Sequence, residues 1–463
     1  MTENKTEPTL QYYQNNHTKL LNELKDFLRI PSVSTDPTHK ADINAAVDFL
    51  KNKLVAVGFE DVKIFSTPGH PIVYAEKIVN PESPTLLIYG HYDVQPPDPI
   101  DAWQTPPFDP SVKSDYIYAR GASDMKGQIW ACISALESII KTDGLPINVK
   151  FLIEGEEEIG SPSLERFLNE HKSRLKCDFV LNPDAGMLAP DKPTIVYALR
   201  GMAYFELRLF GPNADLHSGV FGGVIDNPAN VLSKVLAGMH DENGCVTLPN
   251  FYNDVRAITE QERDQLSNLG MDEAFYQKLT GVSALGGEDG FQPIERVGAR
   301  PTLDINGLYA GFIDKGAKTI IPAYAMAKIS TRLVPNQDPE QIQRSLCDYL
   351  EQKVPNTVRW ELDFLSGAPG YLVEDHAPGV ERFIDALRNT WDVEPLLKPE
   401  GGSIPVATAM KNILGVDSII TGFGLPDDQI HSPNERLHLP THQKGVEALI
   451  CFLTSFKNKD IRL

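Results

Sequence analysis

The chain has 463 residues, beyond the size at which one core normally suffices, so two domains are expected. Its 43 Lys and Arg against 63 Asp and Glu leave a net charge of −20, which argues against nucleic acid or an anionic membrane as partner. A composition of 41% hydrophobic and 23% charged residues is that of an ordinary globular protein, and no apolar run approaches the roughly 18–20 residues that span a bilayer.

The opening stretch MTENKTEPTLQYYQNNH is polar and has no apolar core of a signal peptide. HTKLLNELKDFLRI has helical spacing, and DINAAVDFLKNKLVAVG repeats it up to a terminating Gly58. TLLIYG (85–90), NVKFLIEG (148–155) and DFVLN (178–182) are short apolar runs that predict buried strands, with GQIWACISALESIIKTDG as a helix between the first two. This is an α/β pattern around a parallel or mixed sheet. From about residue 201 the texture changes. The alternation of YFELRLF and AYAMAKISTRLVP predicts half-exposed strands, with helices at NPANVLSKVLAGMH and PEQIQRSLCDYLEQKV. The opening pattern resumes with GVERFIDALRNTW, DSIIT and the helix HQKGVEALICFLTSF. The expected division is therefore a first domain in two parts, 1–200 and 373–463, with a smaller α+β domain at 201–372 inserted between them. Cys132, Cys177, Cys245, Cys347 and Cys451 are scattered and form no CxxC, which suits reduced thiols in a cytoplasmic protein.

The stretch IEGEEEIGS (153–161) crowds carboxylates that raise one another's pKa. One explanation is a helix N-terminus, since SPSLERFLNE follows and acids there offset the dipole. The other is a bound cation, for which further ligands must exist. They are available at the ends of predicted strands: His91 and Asp93 after TLLIYG, Asp124 before the helix, Asp184 after DFVLN and His431 after DSIITGFG. In open α/β sheets, sites lie beyond the carboxyl ends of strands.

HYDVQP (91–96), GASDMKG (121–127), EGEEEIGS, Asp184 and HSPNE (431–435) together resemble the M20 metallopeptidases. DLHSGVFGG (215–223), GAKTIIP (316–322), STRLVPN (330–336) and EGGSIPV (400–406) make the chain similar to the branch of cytosolic non-specific dipeptidases and carnosinases. The resemblance implies a mixed-sheet di-metal hydrolase domain with an inserted lid and dimerisation domain. It implies two divalent ions per subunit, Zn²⁺ first and Mn²⁺ as the alternative, held by His91, Asp124, Glu158, Asp184 and His431. Asp124 bridges, with His91 and Asp184 on one ion and Glu158 and His431 on the other. Imidazole and carboxylate suit such ions. Asp93 is expected to orient the His91 imidazole, and Glu157 to act as base and then acid on a metal-bridging water. The resemblance also implies that the Asp124–Met125 peptide is cis. For substrate it implies Arg332 on a carboxylate, Thr319 and Ser403 as polar contacts, and His217 on the developing oxyanion from a partner subunit.

Glu154 matches a common family position, whereas Glu156 reads as a solvated acid with no role. Pro399 stands where the dipeptidase motif commonly has Arg. The expected function is metal-dependent hydrolysis of small peptides by a homodimer paired through the inserted domain. The alternatives are an N-acyl amino acid or succinyl-diaminopimelate type amide deacylase on the same site, and, in another class, a non-catalytic scaffold. No GxSxG, P-loop or dinucleotide fingerprint is present.

Overall fold

A computed structural model describes residues 6–373, 377–402 and 405–457. They divide into two compact units, one comprising the chain up to Tyr197 with Val373–Leu397 and the part from Ala409 on, the other Ala198–Leu372 with Lys398–Thr408. The segment Lys398–Thr408, expected with the second part of the first domain, groups with the second unit. Its local contacts give the reason: Pro399 packs where a Cβ on Gly298 would lie 2.1 Å from its Cγ, and Arg200 Nε donates to the Gly401 carbonyl at 3.0 Å.

The first unit is built on a mixed sheet running Asp61–Phe65, Ile72–Lys77, Asn148–Glu154, Thr85–His91, Phe179–Asn182, Ser418–Ile420 and Thr194–Leu199. Asn148–Glu154, Thr85–His91, Phe179–Asn182 and Ser418–Ile420 are mutually parallel neighbours, so their carboxyl ends share one edge. Every residue of Asn148–Glu154 is buried, which is why the strand does not alternate; its one internal charge, Lys150, donates to the Arg174 and Lys176 carbonyls. The helix Lys126–Thr142 is buried through Ile139 on all sides, packed by the helices Glu7–Leu28 and Leu439–Ser455. The helix Lys40–Val57 ends at Gly58, whose φ of 119° favours a residue without Cβ.

The second unit carries an antiparallel sheet in the order Thr302–Ala310, Tyr324–Leu333, Gly201–Phe210, Arg359–Ala368. Residues of Gly201–Phe210 alternate strictly between buried and half-buried. Phe205, Leu207 and Leu209 share a core with Ala325, Ala327 and Ile329, and with the helices Pro228–Ala237 and Pro339–Lys353. Burial of each large apolar side chain contributes about 1.5–3 kcal/mol. The opposite face carries Arg332, paired in register with Met202 and Thr302.

Candidate metal centre

The carboxyl ends of the parallel strands converge. His91 closes Thr85–His91 and lies in register with Glu154, the last residue of Asn148–Glu154. Asp184 follows Phe179–Asn182 and is held by its N–H to Asn182 Oδ1 at 3.0 Å. Asp124 immediately precedes the helix Lys126–Thr142, and the Asp124–Met125 peptide is cis. Glu157 and Glu158 lie in the 3-10 turn Glu157–Ile159, while the helix Leu164–Glu170 begins later, so the acids do not cap it.

The side chains meet as follows. His91 Nε2 is 3.2 Å from Asp124 Oδ1, 3.8 Å from Asp184 Oδ1 and 3.9 Å from Glu157 Oε2. His431 Nε2 is 2.9 Å from Asp124 Oδ2 and 3.1 Å from Glu158 Oε2. Asp124 thus presents one oxygen to each imidazole. Ligand atoms of His91, Asp124 and Glu158 lie within 4.8 Å of one another, as do those of His91, Glu157 and Asp184. The second group brings Glu157 among the ligand-capable atoms, beside Asp184.

His91 is fully buried, and its Nε2 has no hydrogen-bond partner of acceptable geometry among the described residues, although carboxylates surround it. Its Nδ1 lies 3.0 Å from the Asp93 carbonyl oxygen and donates to it, so Nε2 is the nitrogen that would bind an ion on losing its proton. A buried, unbonded imidazole nitrogen aimed at carboxylates fits a divalent cation. The expected role of Asp93 is modified here. Its carbonyl rather than its carboxylate makes the closer contact to His91, the carboxylate Oδ1 standing at 3.4 Å from Nδ1. That carboxylate accepts the N–H groups of Glu157 at 3.3 Å and Glu158 at 3.2 Å.

The electrostatics agree with a site that needs positive charge. Burial pushes Glu157 up to about 9, with the charges of Asp184, Asp124 and Glu158 adding to it against His91. Burial also raises Asp184 and Glu158. Burial would raise Asp124 too, but His431 and His91 hold it below the usual carboxylate range. The Asp124 and Glu158 carboxylates raise His431 to about 10. Without cations, burial and the neighbouring carboxylates keep Glu157 protonated at neutral pH.

Glu156 corrects the solvated reading. It is 3% exposed, and its carboxylate accepts the N–H groups of His70 and Ser163. Glu154 is also buried, accepting Tyr89 and Ser161 hydroxyls at 2.8 Å each, and burial raises it to about 7. The residues missed in the sequence are Gln95, whose Nε2 donates to Glu158 Oε2 at 2.9 Å, and the buried pair Arg120 and Glu435. Gln95 and Glu435 lie inside HYDVQP and HSPNE, which was the only available signal.

In the second unit, His217 and Thr319 come together. The short strand Leu216–His217 pairs with Ile320–Ile321, and the Ser218 N–H donates to the Thr319 carbonyl at 3.1 Å. His217 Nδ1 accepts the Gly219 N–H at 3.0 Å, which leaves Nε2 as the protonated nitrogen. Arg332 stands on the half-buried face of its sheet, and Ser403 lies outside the described residues.

A model of peptidase family M20/M25/M40 matches residues 87–455. The chain belongs to that family. This M20 chain is 31% identical over 452 residues to a Cys-Gly metallodipeptidase of Schizosaccharomyces pombe, 94% of each chain. It is 28% identical over 464 residues to the human Beta-Ala-His dipeptidase, covering 96% of this chain and 92% of the relative. Among solved structures it is similar to the M20 family metallo-carboxypeptidase Sso-CP2 of Sulfolobus solfataricus, with a TM-score of 0.83 at 34% identity over 94% of this chain and 99% of the other. Human carnosine dipeptidase 1 gives 0.82 at 26% identity over 97% and 98%.

Proposed function

We propose that this protein is a metal-dependent dipeptidase of the cytoplasm, and the observation that carries the reading is the unbonded Nε2 of His91 among the carboxylates at the strand ends. His91, Asp184 and one oxygen of Asp124 would hold one divalent ion, and Glu158, His431 and the other oxygen of Asp124 a second, Zn²⁺ or alternatively Mn²⁺. Ions bound there would supply Lewis acidity, lowering the pKa of a water and polarising the peptide carbonyl. Glu157, held by its N–H on Asp93, would serve as the base that accepts a proton from the attacking water and returns it to the leaving amine. Asp93 orients His91 through its carbonyl and the adjacent glutamates through its carboxylate.

Arg332 offers a planar fork to a substrate carboxylate, with Thr319 and Ser403 as further polar contacts. His217, protonated on Nε2, donates to the oxyanion from a partner subunit. A homodimer through the second unit is supported by its edge strand Thr302–Ala310, which exposes Ile305 and Leu308. Free cysteines support a reducing compartment, and no helix among the described residues is long and apolar enough to cross a membrane.

A panel of dipeptides, N-acetylated dipeptides and longer peptides, each with Zn²⁺ and Mn²⁺, tests the reading. Hydrolysis confined to free dipeptides supports it. The similarity to the Sulfolobus metallo-carboxypeptidase favours a second reading, removal of C-terminal residues from longer peptides, which predicts turnover of the longer and N-blocked substrates.

A further inference from the structure

The loop that bears His431 contains three left-handed residues with side chains: Gln429 at φ 57°, His431 at 60° and Asn434 at 66°. Such backbone is strained outside glycine and persists only where the surroundings over-determine it. Asp428 Oδ2 accepts the Leu425 N–H at 2.7 Å and the Ser123 hydroxyl at 2.9 Å. Asn434 accepts the Gln104 N–H at 2.7 Å and donates to the Ala102 carbonyl at 2.9 Å.

Glu435 completes the clamp. It is fully buried, and its Oε1 accepts the N–H groups of Ser123 at 2.9 Å and of Asp124 at 3.1 Å. Its Oε2 accepts the Gly121 N–H at 2.9 Å and Arg120 Nη1 at 2.8 Å. The Ala119 N–H donates to the Glu435 carbonyl at 3.1 Å. Glu435 therefore bonds the main chain of Asp124, while His431, in the same loop, faces the Asp124 carboxylate. A buried carboxylate whose four acceptor positions all serve one short segment does more than neutralise an arginine.

We propose that Glu435, with Arg120 as its counter-charge, is a positioning residue of the metal centre. It locks the backbone of Asp124 to the His431 loop, so that affinity for the ion between those two ligands depends on a residue that donates no ligand atom. This rests on the metal-centre reading above. The competing account is a buried ion pair that merely stabilises the fold. Buried Glu137, paired with Lys53 and with the exposed Lys19 about three turns into the helix that follows Asp124, supplies the control.

The test partitions Zn²⁺ between the loaded protein and a competing chelator, alongside thermal melts, for wild type, Glu435→Gln and Glu137→Gln. The expected result is that wild type retains two ions, while Glu435→Gln holds one of them about 10–100-fold more weakly. Glu137→Gln melts lower with unchanged Zn²⁺ partition. If Glu435→Gln does not fold, Arg120→Met, which removes one of the four donors, is expected to weaken the same ion. A folded Glu435→Gln, or in its place Arg120→Met, that keeps both ions at wild-type affinity overturns the proposal, whatever its melting temperature. A wild type that retains no Zn²⁺ at all overturns the metal-centre reading itself, and the proposal with it.

Discussion

Glu156 and Glu157 are adjacent in the chain and face opposite ways. Glu156 turns into the protein, with Oε1 3.0 Å from the His70 nitrogen and Oε2 3.2 Å from the Ser163 nitrogen. Glu157 turns toward the site, with Oε2 3.9 Å from His91 Nε2. One acid anchors the turn and its neighbour is presented by it.

Glu156→Ala is expected to lower the melting temperature, because two N–H groups lose their acceptor at about 1–3 kcal/mol for each buried unsatisfied group. Gly69→Ala should do the same with Glu156 intact, since a Cβ there would lie 1.5 Å from Glu156 Oε1. Thermal melts unchanged in both variants would mean that this carboxylate does not hold the turn.

Glu157→Gln should reduce turnover by about 10²–10⁴-fold while both ions stay bound, because the amide keeps the shape but cannot accept the proton. Glu158→Gln should instead lose metal. Metal content and turnover measured on the same preparations separate the roles. If Glu157→Gln is the variant that loses an ion, Glu157 is a ligand, as its grouping with His91 and Asp184 would allow.

His217→Ala is expected to cost about 10²–10³-fold in rate, the usual worth of an oxyanion donor, with metal content unchanged. Mixing it with Glu157→Gln chains under subunit exchange should restore partial activity if His217 serves the partner's site. Mixed dimers that form and stay inactive would refute the exchange.

Stability should depend on pH through His442. It is 6% exposed with Nε2 3.0 Å from the Gly127 carbonyl, and burial lowers it to about 4. An unfolded chain takes up this proton near pH 6.5, while the native protein resists until about 4. The unfolded state thus binds more protons in that window, and stability falls as pH drops from 6.5 toward 4. His442→Gln should flatten this slope in melts recorded between pH 7 and 4.5. An equal slope in both proteins would remove His442 from the account.

What the sequence disclosed follows from how far each interaction reaches. The parallel strands were legible because burial on both faces demands a continuous apolar run, as in LLIY at 86–89. The helix Lys126–Thr142 was legible because its apolar residues go all the way round. Asp61–Phe65 and Ile72–Lys77 went unread, since DVKIF and IVYAEK mix charge into an edge region where neither pattern is clean. Glu156 reads as a solvated acid because its partner His70 is 86 residues away. The carboxylate of Glu435 reaches back 311 residues to Asp124. No local pattern encodes such a relation. The segment Lys398–Thr408 was assigned by chain order, whereas its packing on Gly298 and Arg200 decides its neighbours.

The clamp between Glu435 and Asp124 also has a consequence for biosynthesis. Chain growth delivers His91, Asp124, the glutamate turn and Asp184 early, then the whole of Ala198–Leu372 before His431 and Glu435 appear. Until residues 418–420 are made, their strand is missing from beside Phe179–Asn182, and until residue 431 the acids lack their last imidazole. Translation pauses or truncations before residue 431 would therefore leave a nascent protein with its second unit complete and its metal centre unfinished. Contacts of such long range form late. The full ligand set of the proposed metal centre therefore exists only near the end of synthesis.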